Sequence, residues 1–202
     1  MEHSLNYIIT ALVGYLFGAI PFAVIIAKSC GVDIFKAGSG NPGATNVKRS
    51  CGKFAGNLCF LLDALKGFLA ASFPYWIKYF GVSLNNPEIL IYVGLASAII
   101  GHSFSIFIKF KGGKGVAVTI GGLLFVMIIP ILIGLALWVI VFYASRYVSL
   151  ASIVMAVSLP VSSVFFYGNS IALYVAIAIA VIIVYRHRSN ISRLLKGTEN
   201  RF

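Results

Sequence analysis

The chain has 202 residues, of which 60% are hydrophobic and only 10% charged, and its mean hydropathy is +0.98. A soluble domain carries about 25% charged residues, so an ordinary water-soluble enzyme is excluded, as is a disordered chain, and lipid is the expected solvent. Sixteen Lys and Arg against five Asp and Glu give a net charge of +11; on so apolar a chain this points to anionic head groups or phosphorylated metabolites rather than to nucleic acid.

The first apolar run, Leu5 to Ala27, is uncharged for 23 residues. That is long enough to span a bilayer and too long for a signal-peptide core, and no basic n-region precedes it. A polar, glycine-rich loop follows. Phe54 to Phe80 is the second span, with Asp63, Lys66 and Lys78 inside it. Ile89 to Ile108 is the third and carries His102. Gly115 to Ser145 is one uncharged run of 31 residues with Pro130 in its middle. As a single helix it would be about 46 Å long, against a hydrocarbon core of about 30 Å. Tyr147 to Phe166 and Tyr167 to Tyr185 complete the apolar stretches, with Tyr167-Gly168-Asn169-Ser170 read as the tight turn between the last two helices.

Positive charge decides how often the long run crosses. Basic residues cluster at Lys28 to Lys53, at Lys109 to Lys114, at Arg146 and in the tail from Arg186 to Arg201. Cytoplasmic loops collect such residues. Two crossings put all four clusters on one side; one crossing splits them. The expected fold is therefore an all-α polytopic membrane protein of seven transmembrane helices, forming one domain over residues 1–202. Its N-terminus lies out and its C-terminus in. The fourth and fifth helices are short, about fifteen residues each, and divide at Pro130.

Three segments on the inner face carry chemistry. The first runs from Lys36 to Arg49. Its glycines and proline argue against a helix, and Gly38, Gly40 and Gly43 suit a concave nest of backbone N–H groups for an anion. Ser39, Asn41, Thr45 and Asn46 add donors, and Lys48 and Arg49 add charge. The plain alternative is a polar linker. The second, Phe110-Lys-Gly-Gly-Lys-Gly115, precedes a helix N-terminus, which favours anions; the alternative is a basic stop-transfer loop. The third, Arg186 to Arg193, reads as a straight extension of the last helix, with Arg186, Asn190 and Arg193 on one face; the alternative is lipid head-group binding.

His102 alone reads as a packing residue. Asp63 and Lys66, three residues apart, read as a pair that neutralises itself, with a binding role as the alternative. Ser149 could cap a helix or donate to a substrate. The three cysteines read as small apolar fillers. No metal-ligand cluster and no Ser-His-Asp order stands out, and His-x4-Asp fails at each histidine, with Ile8, Phe107 and Ser192 where the acid is required. What remains is rich in donors and cations and poor in bases.

Gly38-Ser-Gly-Asn-Pro-Gly-Ala-Thr-Asn46, Gly101-His-Ser with Phe110-Lys-Gly-Gly-Lys-Gly115, and Arg186-His-Arg-Ser-Asn190 resemble, in order, the three cytoplasmic motifs of the bacterial acyl-phosphate:glycerol-3-phosphate acyltransferases, the PlsY family. The likeness covers nearly the whole chain. It implies an enzyme of the bacterial cytoplasmic membrane, with its active site facing the cytoplasm. Such an enzyme passes a fatty acyl group from acyl phosphate to the 1-hydroxyl of glycerol 3-phosphate, giving lysophosphatidic acid and inorganic phosphate for phospholipid synthesis. The resemblance implies no metal and no cofactor. The donors of the first loop, Gly38, Ser39, Gly40, Asn41, Thr45 and Asn46, are read here as holding the phosphoryl group of the acyl phosphate, assisted by the Gly112-Gly113 backbone and Lys114. By the resemblance, Arg49, Lys114, Ser149, His187 and Asn190 would hold glycerol 3-phosphate and form the catalytic set. Besides these two substrates and membrane lipid no partner is implied. A transporter for an organic phosphate is the alternative class, although polar groups gathered at one face, without an internal repeat, fit it less well.

Overall fold

The computed structural model describes residues 2–82 and 84–202, with side chains from Ser4 onward, so the side chain of His3 lies outside the described residues. Among them the regular structure is helical. The chain clusters into two compact units, Met1–Val126 and Met127–Phe202.

The first unit opens with α1 (Glu2–Ala19) and α2 (Phe22–Ser29). The sequence suggests one uninterrupted helix here, but Pro21 divides it. Proline has no N–H for the carbonyl four residues back, and its ring crowds that carbonyl. The Ile20 carbonyl, dropped from the helical ladder, instead accepts a bond from Lys66 Nζ at 2.8 Å. Together the two helices make one apolar stretch, Ser4–Ser29, long enough to span. On α1, Leu5, Ile8, Leu12 and Leu16 form an exposed apolar stripe at helical spacing, the face such a helix turns to lipid.

The loop that follows leads into α3 (Ala44–Cys51) and then α4 (Lys53–Trp76). The short helix α3 is a correction to the expected irregular loop. Glycine and proline end at Gly43, and the eight residues after it contain neither. α5 (Pro87–Ser103) starts with proline at its first position, where the missing N–H costs nothing. α6 (Val116–Val126) closes the unit. These helices pack through small residues. A Cβ on Gly94 of α5 would strike the Ala70 carbonyl of α4, and a Cβ on Gly14 of α1 would lie 2.6 Å from the Gly94 carbonyl oxygen. Only glycine lets three backbones meet there, and close backbone approach is how helices associate without a hydrophobic driving force.

The second unit holds α7 (Ile128–Ser145), α8 (Val148–Tyr167), α9 (Ile171–Arg186) and α10 (Arg188–Leu195). The long apolar run is interrupted as expected, but at Met127 (φ −145°, ψ 66°) rather than at Pro130, and the pieces have 11 and 18 residues. Pro130 is the third residue of α7. Its ring excludes a helical turn before it, not after it, so the break falls three residues upstream. Arg146 and Gly168, both with positive φ, make the turns into and out of α8, the latter where the sequence places it. Beyond Ser149, serines of α8 return their hydroxyls to its own carbonyls, Ser152 to Val148 at 2.8 Å and Ser163 to Leu159 at 2.7 Å, which offsets the cost of burying them. The last helix does not continue straight. It bends by 58° between α9 and α10, with His187 at the corner.

Among the described residues five stretches are long and apolar enough to cross a membrane, and α9 with α10 makes a sixth if the bent pair counts as one; α6 is apolar but short. Of the three cysteines, Cys59 is buried, Cys51 is half-buried and Cys30 is exposed, so only the first behaves as the expected core filler.

Candidate functional site

The first glycine loop is shaped by one side chain. Asn46, 2% exposed on α3, accepts the Ser39 N–H on Oδ1 at 2.9 Å and donates from Nδ2 to the Ala37 and Ile34 carbonyls at 2.9 and 3.3 Å. Gly38 has φ +56°, and a Cβ there would strike Asn46 Oδ1, so the asparagine and the glycine require each other. The N–H groups of Gly40 and Gly43 also bond inside the loop, to Ala37 and Asn41. Three of the N–H groups expected to form an anion nest therefore face inward. Ser39 is exposed, Asn41 and Thr45 are half-buried, and Arg49 is exposed.

The second glycine loop lies against the end of α5. Gly113 donates its N–H to the His102 carbonyl at 3.1 Å. A Cβ on Gly112 would strike that carbonyl oxygen, and a Cβ on Gly113 would strike Nε2 of the His102 ring. The same added Cβ would lie 3.0 Å from the Pro42 carbonyl oxygen. The two loops thus meet at Gly113, inside the first unit. Lys114, half-buried, follows directly, and α6 begins two residues later, with its partial positive charge beside that lysine. Ser103 Oγ is fully buried next to this loop with no partner among the described residues.

In the second unit, Ser149, His187 and Asn190 are 6%, 3% and 5% exposed. Glu199, from the C-terminal tail, sits among them. Its Oε1 accepts bonds from Ser149 Oγ at 2.8 Å and Asn190 Nδ2 at 2.7 Å, and its Oε2 accepts one from Arg193 Nε at 2.7 Å. Burial alone would raise the pKa of this carboxyl, but the bonds from Asn190, Ser149 and Arg193, with the charge of Arg193, outweigh it and hold the group below its ordinary value. The tail is strapped down further by Phe202 N–H to the Arg146 carbonyl at 3.0 Å and by Arg201 Nε to the Tyr147 hydroxyl at 3.0 Å. Nδ1 of His187 is 2.8 Å from the Ile183 carbonyl. A carbonyl only accepts, so Nδ1 carries a proton, and Nε2 is the acceptor nitrogen when the ring is neutral.

A family model described as glycerol-3-phosphate acyltransferase matches residues 8–197. The chain belongs to that family. It is 44% identical over 196 residues to the glycerol-3-phosphate acyltransferase of Endomicrobium trichonymphae, covering 96% of this chain and 94% of that protein. It is 46% identical over 189 residues to the one from Aquifex aeolicus, covering 93% and 95%. Among solved structures it is similar to crystal structures of PlsY, an integral membrane glycerol 3-phosphate acyltransferase. Identity is 40%, covering 97% of this chain and 95% of that one, with TM-scores of 0.87 to the glycerol 3-phosphate form and 0.84 to the lysophosphatidic acid form. With its apolar helices, this acyltransferase is a multi-pass membrane protein.

The structure brings the first and second motifs of the acyltransferase together at Gly113 and Pro42. Within the second unit it gathers Ser149 and Asn190, with Arg193, on one carboxylate. Arg186 does not share a face with Asn190 and Arg193 as expected, because the chain turns at His187. Sequence reasoning missed Glu199, which stands as a lone acid in a basic tail, and Ser103. The signal for Glu199 was its isolation: an acid among cations at a chain end has a ready set of partners.

Proposed function

We propose that this protein transfers a fatty acyl group from acyl phosphate to the 1-hydroxyl of glycerol 3-phosphate. The hydroxyl oxygen attacks the acyl carbonyl carbon, a new C–O ester bond forms, and the bond from that carbon to the phosphate oxygen breaks. The hydroxyl proton leaves with inorganic phosphate, and the other product is lysophosphatidic acid. Phosphate is already a good leaving group, so the chain needs no nucleophile of its own. Its task is to hold two anions and orient them.

The observation that carries this reading is the meeting of the two glycine loops at Gly113 and Pro42, in a chain whose relatives are named as glycerol-3-phosphate acyltransferases. Gly38, Ser39, Gly40, Asn41 and Thr45 of the first loop, with the Gly112-Gly113 backbone of the second, surround the phosphoryl group of the acyl phosphate. Asn46 acts by holding the first loop in shape. In the first unit Arg49 and Lys114 supply cations for phosphorylated substrate; in the second, Ser149, His187 and Asn190 supply hydrogen-bonding groups for glycerol 3-phosphate. Residues 1–202 are proposed as a single functional domain. The acyl tail runs along the apolar helices. The proposed topology has seven crossings, counting α6 and the bent last pair. In this reading the N-terminus is outside and the loops face the cytoplasm in the inner membrane of a bacterium, which the distribution of the basic clusters supports.

Purified protein given radiolabelled glycerol 3-phosphate and palmitoyl phosphate tests this. Labelled lysophosphatidic acid with palmitoyl phosphate, and none with palmitoyl-CoA, is the expected result. Uptake of label into vesicles without any product would favour a transporter instead.

A further inference from the structure

The reaction as described leaves one set of buried charges unused. Asp63 and Lys66 of α4 are 2% and 3% exposed and form an ion pair of 2.7 Å. Burying such a pair in a spanning helix costs desolvation that the mutual attraction rarely exceeds. Self-neutralisation accounts for neither partner's other contacts. Lys66 reaches the Ile20 carbonyl at the α1 break. Asp63 Oδ1 lies 3.7 Å from Nδ1 of His102, too long for a hydrogen bond but close enough to orient the ring. Through its carbonyl and its ring, His102 sets both sides of the contact with Gly113 described above. Asp63, Lys66, His102, Gly113 and Pro42 all line one cavity in the first unit.

We propose that Asp63, Lys66 and His102 form a positioning unit for the second glycine loop. His102 touches the loop, Asp63 orients the imidazole, and Lys66 ties Asp63 to the end of α1. Together they fix how closely the Gly113 backbone approaches Pro42, and so the affinity of the paired loops for the phosphorylated substrate they hold. This rests on the reading above that the loops hold the acyl phosphate.

The test uses the full-length chain in detergent, with palmitoyl phosphate and glycerol 3-phosphate varied in turn and the thermal midpoint measured alongside. His102→Ala and Asp63→Asn are expected to raise the KM for palmitoyl phosphate about tenfold with little change in kcat, since a misplacement of about 1 Å can cost a hundredfold. His102→Gln restores part of the loss. Gly113→Ala raises the same KM, and adding His102→Ala to it makes matters no worse, because both act at one contact. If Gly113→Ala moves KM while His102→Ala and Asp63→Asn leave both KM values unchanged, the positioning role is overturned and the loop assignment stands. A fall in kcat that tracks the thermal midpoint, with KM constant, overturns it as well. If all the variants raise the KM for glycerol 3-phosphate instead, the positioning role holds and the assignment of the loops to acyl phosphate fails. Should His102→Ala not fold, His102→Gln and Asp63→Asn carry the same comparison.

Discussion

Asn190 donates its side-chain amide to Oε1 of Glu199 at 2.7 Å, so a residue assigned to substrate is held by an acid from the tail. Ser149 shares that oxygen and Arg193 takes the other. The carboxylate thus holds three donors, two of them buried and one half-buried. Glu199→Ala removes all three bonds, and each unsatisfied group costs about 1–3 kcal/mol. The expected outcome is a thermal midpoint lower by about 5 °C or more and a higher KM for glycerol 3-phosphate. Thermal unfolding and initial rates in detergent check both.

The same carboxyl sets a pH dependence. Its folded pKa lies below the ordinary value of about 4.3. A depressed carboxyl stabilises the fold above its unfolded pKa, and that stabilisation is lost as pH falls through the folded value. The tail should therefore stay in place through neutral and mildly acidic pH and detach only once the pH falls below the ordinary carboxylate range. Glu199→Gln keeps the shape but has no charge to lose. Its thermal midpoint should be lower than wild type at pH 7, and the two curves should converge in acid. Parallel curves down to pH 3 would remove the carboxylate from this account.

Asn46 gives a sharper test of the first loop. Its oxygen accepts one N–H, and its nitrogen faces two carbonyls. Asn46→Asp is nearly isosteric but places a carboxylate oxygen against the Ala37 and Ile34 carbonyls, replacing attraction with repulsion. Asn46→Ala merely deletes the bonds. Asp is therefore expected to be the worse substitution, with kcat/KM down by a hundredfold or more, against about tenfold for Ala. The reverse order would mean that the loop shape does not depend on this amide.

The glycine motifs, the nearby cations, the turn at Gly168 and the interruption of the long apolar run were all legible in the sequence, because each rests on local rules for glycine, proline and charge. What escaped was non-local or a matter of phase. α3 hides inside a polar loop because its burial depends on Val47 packing with Ile26 and Ile34, not on its own pattern. Glu199 has meaning only through partners six, nine and fifty residues away. The His102 contacts with Gly113 and Asp63 join three elements that no spacing rule connects. Pro130 was read as the break itself, when its steric demand acts on the preceding turn.

That phase error separates two prolines. Pro130 sits in the first turn of α7, where its missing N–H has no helical acceptor to lose. Pro130→Ala removes the ring that bars the preceding turn but takes no partner from a charged group, so the thermal midpoint and acyl transfer should change little even if a helical turn then forms across Met127. Pro21 sits between α1 and α2, and the break it forces presents the Ile20 carbonyl to Lys66. Pro21→Ala lets the ladder close, withdraws that carbonyl and leaves a buried ammonium with one partner fewer. A loss of about 1–3 kcal/mol follows for an unmet bond to a charged group, seen as a drop of several degrees in thermal midpoint. Equal behaviour of the two alanine variants would show that Lys66 does not depend on the α1 break, and that Asp63 alone holds it.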